Sequence, residues 1–279
     1  MYLYDYHIHS INSSDGRNTV SELCVDAIAS GMKEIAVTDH FEPSFGNEAY
    51  PYYNVGNYFF DIMRVKAIFR NELKIKSAVE LGQPHLFPEY SQKLIDSNAY
   101  DYVLGSAHKM KEGKDFGDIA YSRENIAEYC NKYLDELKSL VEWNKFDCVG
   151  HIDLIKRYAS RFKIKADLMS YRERLELVLK KVITNGKGIE VNTSGLRQSA
   201  GECLPGFSII RLYRQLGGEI ITVGSDAHTA RDVGSGIMDA VELISLAGFR
   251  YMTVYTARQP SMIKIADSTP VYRVGKKSA

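Results

Sequence analysis

Short apolar runs alternate along this chain with longer stretches whose apolar positions recur at helical spacing. Residues 3–9 read as a first strand. Thr19-Val20-Ser21-Glu22 has the form of a capping box. It opens a helix with Leu23, Ala27 and Ile28 on one face, and Gly31 closes it. Ile35-Ala36-Val37-Thr38 is too brief for a helix and reads as a buried parallel strand. The cycle then repeats. Helices are expected over 57–73, 88–97, 122–143, 166–185, 208–216 and 234–247. Strands are expected over 75–80, 102–106, 146–150, 188–192 and 219–224. Strands alternating with helices imply a parallel sheet with helices outside it. Seven such units predict an α/β fold that closes, or nearly closes, into a TIM-like barrel. Catalytic groups belong at the C-terminal strand ends of such a barrel. An open sheet would spread those ends along a line.

Nothing Gly/Ser-rich, repetitive or like-charged divides the 279 residues, a length that one barrel can occupy. One domain over 1–270 is expected, with a flexible tail at 271–279. The segment 41–57, rich in Phe and Tyr, follows one strand end and is expected to form a lid or pocket wall. Apolar residues make up 45% and charged residues 25%, as in ordinary globular proteins. Lys+Arg and Asp+Glu are both 35, which gives no support for a nucleic-acid or anionic-membrane partner. No apolar run approaches the length of a membrane span, and the N-terminus lacks the pattern of a signal peptide. Cys24, Cys130, Cys148 and Cys203 form no CxxC pair and read as free thiols. A cytoplasmic location is expected.

The candidate chemistry lies at the strand ends. Six of seven histidines fall there, in Tyr6-His7-Ile8-His9, Thr38-Asp39-His40, Ser106-Ala107-His108, Gly150-His151-Ile152-Asp153 and Ser225-Asp226-Ala227-His228. Glu80 ends another strand. His-x-His on a strand places both imidazoles on one face. Imidazoles with carboxylates suit zinc, iron or manganese, whereas calcium prefers oxygen ligands. A shared carboxylate can bridge two ions. The joint pattern points to one polynuclear metal site. His85 lies outside it and is expected on the surface or in a loop.

With Asp15 added, this ordered set resembles the PHP (polymerase and histidinol phosphatase) family over nearly the whole chain. The resemblance implies a distorted (β/α)7 barrel, with the segment 252–255 peripheral, and a centre of three divalent ions (Zn, Fe or Mn). His7, His9, Glu80 and Asp226 would hold one ion. Asp15, His40 and His228 would hold a second. Glu80, His108 and His151 would hold the third, with Glu80 bridging. Some family members have histidine where this chain has Asp15. Asp15, Asp226 and His228 are the candidates for catalytic roles. Asp39 and Asp153 are expected to orient imidazoles from behind.

Two further stretches look like the histidinol-phosphatase branch: His151-Ile152-Asp153-Leu154-Ile155-Lys156-Arg157-Tyr158 and Ile189-Glu190-Val191-Asn192-Thr193-Ser194-Gly195-Leu196-Arg197. By this resemblance Arg157 and Arg197 would bind the substrate phosphate through paired hydrogen bonds; Lys109 is a third, weaker candidate. The implied reaction is hydrolysis of a small phosphate monoester by metal-activated water. L-histidinol phosphate, in histidine biosynthesis, is the favoured substrate. Other phosphoesterase substrates (nucleotides, sugar phosphates or phosphotyrosine) and a scaffold without turnover are the alternatives.

Overall fold

In the computed structural model, which describes residues 1–265, seven parallel strands follow one another around a nearly closed barrel. They are β1 (Tyr4–Ile8), β2 (Glu34–Val37), β4 (Lys74–Gly82), β5 (Tyr102–Ser106), β6 (Cys148–Val149), β7 (Gly188–Asn192) and β8 (Ile221–Gly224), with the short β3 (His40–Phe41) also paired to β4. The helices between them are α1 (Val20–Ala29), α2 (Val55–Ile68), α3 (Pro88–Asp96), α4 (Ile126–Trp143), α5 (Ile155–Ser160), α6 (Arg172–Thr184), α7 (Phe207–Gln215) and α8 (Ile237–Leu246). Positions 266–270 of the expected domain and the expected tail at 271–279 lie outside the described residues.

The core follows from β-branched and aromatic side chains buried on both faces of the sheet. Ile35, Val37, Val103, Val149, Ile189, Val191, Ile221 and Val223 have no exposed surface. Each such side chain contributes about 1.5–3 kcal/mol relative to exposure. Tyr58 of α2 ties its helix to the sheet: its hydroxyl donates to Val37 O (2.8 Å) and accepts from Ala78 N (2.6 Å). The capping box forms as expected, with Glu22 N donating to Thr19 Oγ1 and Thr19 N donating to the Glu22 carboxylate.

The barrel seam lies between β1 and β8, which form no ladder. A single bridge joins Ile8 to Ala227 just beyond β8. Asp226 N donates to His7 O (2.7 Å), and His9 N donates to Ala227 O (2.8 Å). The buried Asp5 carboxylate accepts from Ser225 N and Gly234 N, both at 2.8 Å. The barrel therefore closes at its C-terminal end, through backbone beside the candidate ligands.

Several elements differ from expectation. The helix expected over 122–143 begins at Ile126, because Ser122 and Asn125 cap a turn ahead of it: Ser122 N donates to Asn125 Oδ1, and Glu124 N to Ser122 Oγ. The stretch 166–185 divides into a 3-10 turn, Leu168–Tyr171, and α6. The segment expected to be peripheral forms β9 (Tyr251–Thr256), an antiparallel hairpin with β10 (Gln259–Lys264) outside the barrel sheet. It is nonetheless packed into the molecule. Met252, Thr253, Val254 and Tyr255 are buried, and Tyr255 N donates to Tyr6 Oη (2.9 Å). Its turn meets Asp101 and Asp147, which precede β5 and β6, so the hairpin covers the N-terminal end of the barrel. Among the described residues no helix is long and apolar enough to cross a membrane.

Candidate metal centre

Strand geometry delivers every candidate ligand to one place. His7 in β1 and His9 just beyond it point to the same side, with ring centroids 4.9 Å apart. The register of β3 on β4 sets His40 opposite Glu80. His108, His151, Asp226 and His228 follow the ends of β5, β6 and β8. All are buried or nearly so, except that His228 is partly open and the Asp15 side chain is half exposed.

Glu80 is the hub. Its Oε2 lies 3.1 Å from His7 Nε2, 3.5 Å from His9 Nε2 and 3.0 Å from His40 Nδ1. Its Oε1 lies 3.1 Å from His151 Nε2 and 3.3 Å from His108 Nε2, and accepts a hydrogen bond from Ser106 Oγ (2.6 Å). Asp226 Oδ1 stands 3.5 Å from His9 Nε2 and 3.7 Å from His7 Nε2. Asp15 Oδ2 stands 2.9 Å from His228 Nε2 and 3.6 Å from His40 Nε2. Among the described residues four sets of donor atoms lie close enough to share an ion: His9, Asp15, His40 and His228; His7, His151 and Asp226; His7, His9 and Glu80; His40, Glu80 and His108.

Two carboxylates that sequence reasoning missed orient the rings. Glu190 of β7 sits 2.6 Å from His7 Nδ1, and Glu42 contacts His108 Nδ1. Each favours the tautomer with a proton on Nδ1, leaving the Nε2 lone pair turned to Glu80. His228 Nδ1 is 3.0 Å from the Asp226 carbonyl and is set in the same way. The available clue to Glu190 was a charged residue inside an otherwise apolar strand. Gly224 makes room for this pair: a Cβ there would stand 2.3 Å from His7 Cβ and 2.5 Å from Glu190 Oε1. Asp39 and Asp153 do not meet an imidazole directly, contrary to expectation. Asp39 accepts from Ser10 N, Ser10 Oγ and Ser13 Oγ; Ser13 Oγ in turn lies 3.2 Å from His9 Nδ1. Asp153 pairs with Lys156 at 2.7 Å.

The electrostatics show what is unsatisfied. Burial alone would favour a neutral Glu80, but His7, His40 and His108 reverse this and hold it ionised well below the usual carboxylate range. Burial, then the neighbouring His40 and His228, push His9 down to about 3. Among the described residues its Nε2 is buried with no hydrogen-bond partner. The Nε2 atoms of His108 and His151 face each other at 3.4 Å. Burial opposes charge on His7, His40 and His108, but the carboxylates they face hold them above the usual imidazole range, so the cluster balances its buried negative charge with protons that a metal cation would replace. Divalent ions fit it chemically, since imidazole and carboxylate are their common ligands.

A cavity of about 310 Å³ opens over the cluster, lined by Asp15, His40, Glu80, His108, His151, Asp226 and His228 together with Ser14, Glu42, Tyr50, Lys109, Asp115, Arg157 and Tyr158. Tyr50 makes the segment 41–57 a wall of this cavity, while Phe45 and Tyr52 face solvent. Arg157 Nη2 donates to Asp226 and to Ser194 Oγ, and among the described residues Arg157 Nε is buried without a hydrogen-bond partner. Lys109 pairs with Glu42 at 3.2 Å. Arg197 does not line the cavity; it donates to the Ser225 carbonyl at 2.7 Å and lies 3.9 Å from Asp232. His85 is in a turn as expected, but its side chain is buried against Glu136 at 2.8 Å.

A family model described as "PHP domain" matches residues 5–194. The chain is 30% identical over 257 residues to a histidinol-phosphatase of Lactococcus lactis, covering 90% of this chain and 94% of that one. It is 27% identical over 252 residues to a "probable histidinol-phosphatase" of Thermotoga maritima, covering 90% and 95%. The crystal structure of the histidinol phosphate phosphatase of Lactococcus lactis, complexed with zinc, L-histidinol and phosphate, matches with a TM-score of 0.76 and 27% identity over 93% of this chain and 98% of that one.

Proposed function

The chain belongs to the PHP domain family, and from that premise and the geometry of the site we propose that it is a metal-dependent phosphomonoesterase. Its substrate in this reading is L-histidinol phosphate, cleaved to L-histidinol and phosphate, a step of histidine biosynthesis. The observation that carries the reading is Glu80: a buried carboxylate whose two oxygens are shared among five imidazoles, at the floor of a cavity into which Arg157 also opens.

His7, His9, Glu80 and Asp226 would hold one divalent ion, Asp15, His40 and His228 a second, and Glu80, His108 and His151 a third. The distances around Glu80 and Asp15 support these sets, and His9 lies near enough to join the second. Zinc in the Lactococcus structure supports the choice of a divalent cation; the count of three is our reading of the ligand sets. Bound there, such ions supply Lewis acidity and make water acidic enough to ionise near neutral pH.

The remaining work falls to the chain's own groups. Hydrolysis forms a bond from water oxygen to phosphorus and breaks the ester P–O bond, in line, and the leaving oxygen takes up a proton to depart as the alcohol. Arg157 would take the phosphate oxygens, its guanidinium already fixed by Asp226 and Ser194 and its Nε still without a partner. Asp15, Asp226 and His228, which line the same cavity, would orient the attacking water, and a carboxylate oxygen of Asp15 or Asp226 would accept its proton. Burial opposes ionisation of Asp15, but its bonds with His228 and His40 outweigh that and keep it below the ordinary carboxylate range. Arg197 would support this wall from behind, through the Ser225 carbonyl beside Asp226.

Phosphate release tests the proposal. Protein reconstituted with Zn²⁺, Mn²⁺ or Fe²⁺ is given L-histidinol phosphate, nucleotides and sugar phosphates. A kcat/KM for L-histidinol phosphate far above the others is expected. Equal slow turnover of all would reject the substrate, and no turnover by fully loaded protein would reject the enzyme.

A further inference from the structure

The cavity holds five carboxylates: Asp15, Glu42, Glu80, Asp115 and Asp226. Four have positive or imidazole partners. Asp15 meets His228 and His40; Glu80 meets the imidazole cluster; Asp226 meets Arg157 and His9; Glu42 meets His108 and Lys109. Asp115 has none. No lysine, arginine or histidine among the described residues lies within ion-pair distance of it, and its carboxylate accepts one hydrogen bond, from Gly117 N at 2.6 Å.

Its position is fixed by backbone. Phe116 N donates to His108 O (2.9 Å), Met110 N donates to Lys114 O (2.9 Å), and Lys109 bridges Asp115. The loop after β5 thus returns Asp115 to the side of the metal-centre histidine. The ring of Tyr158, the neighbour of Arg157, closes over the same loop: a Cβ on Gly117 would stand 3.0 Å from Asp115 Oδ1 and 3.2 Å from Tyr158 Cε1. One wall of the cavity therefore carries an arginine and, among the described residues, a carboxylate without an ion-pair partner, with Tyr158, the neighbour of Arg157, packed against the Asp115 loop.

We propose that Asp115 is the specificity residue that receives the positively charged amine of the substrate while Arg157 holds its phosphate. This rests on the phosphatase reading, and it extends it: the site selects phosphate esters whose alcohol carries an ammonium group close to the ester oxygen. L-histidinol phosphate has that form. A partly buried carboxylate facing such a group makes a charge-assisted bond that a neutral alcohol cannot replace.

The test compares wild type with Asp115→Asn, which keeps the shape and the acceptor for Gly117 N. Metal-loaded proteins are assayed on L-histidinol phosphate, phosphoethanolamine and glycerol phosphate. The variant should lose about 10- to 100-fold in kcat/KM on the two cationic esters. Glycerol phosphate turnover, metal content and melting temperature should not move. Equal loss on all three esters would make Asp115 a structural residue, and retained cation preference, or none in the wild type, would equally overturn the proposal. If wild type hydrolyses phosphoethanolamine but not L-histidinol phosphate, the substrate reading of the preceding section fails, while the selective loss in the variant still decides the role of Asp115.

Discussion

Glu80 has imidazoles around it and no lysine or arginine within ion-pair distance among the described residues. Glu80→Gln keeps the volume and removes the charge that the ions and rings need. Loss of a buried charged partner is worth about 3–5 kcal/mol, so metal affinity should fall by at least about a hundredfold, read by titration with a metal-sensitive dye. Glu190→Gln acts one step further out, through the His7 tautomer, and should cost about 10- to 100-fold in metal affinity or activity. Arg157→Lys should leave metal content unchanged while kcat/KM falls about 10²–10³-fold, because a point charge does not reproduce the fork. At this scale the ligands were legible because His-x-His and Asp-x-His at strand ends have few other uses. Glu42 and Glu190 were not, because what they do depends on which ring lies across the barrel. The placement of the Arg197 guanidinium on the Ser225 carbonyl, outside the cavity lining, was equally hidden, since it depends on how its loop turns.

Elements position these residues, and their own stability is separable from the chemistry. Thr19→Ala removes the cap of α1, a residue that does not line the cavity, and should cost about 0.5–2 kcal/mol in urea unfolding with kcat/KM intact. Gly224→Ala should do both kinds of damage, because the added methyl collides with His7 and Glu190. A destabilisation of about 1–3 kcal/mol with weakened metal binding is expected; destabilisation with normal loading would show that the barrel yields instead of the ring. Strands ending in ligands were readable from short β-branched runs and the residues after them. The β9–β10 hairpin was not, because its turn uses Ala257 and Arg258 at φ 46° and 62°, where glycine or asparagine usually marks the sequence. The late start of α4 was likewise hidden in a turn whose hydrogen bonds come from Ser122 and Asn125, residues that also cap helices.

The whole molecule is a barrel whose seam is closed by the backbone of its ligand-bearing segments, with a cover of β-hairpin at the opposite end. Metal binding should therefore stabilise the fold as well as activate the site. At an ion concentration a hundredfold above Kd, binding contributes about 2.7 kcal/mol, so removal by chelation should lower Tm by about 5–10 °C, restored on adding the ion back. The order of the strands, and hence the meeting of distant histidines, followed from alternation of strand and helix. The closure that makes them meet needed three dimensions to see. The central claim is that Glu80 gathers three ions into one hydrolytic site. It is tested most directly by following L-histidinol phosphate turnover in metal-free protein as ions are added and bound ions per chain are counted. Activity should rise until three ions are bound and stop there. Full activity in metal-free protein, or a plateau at a single bound ion, would contradict it.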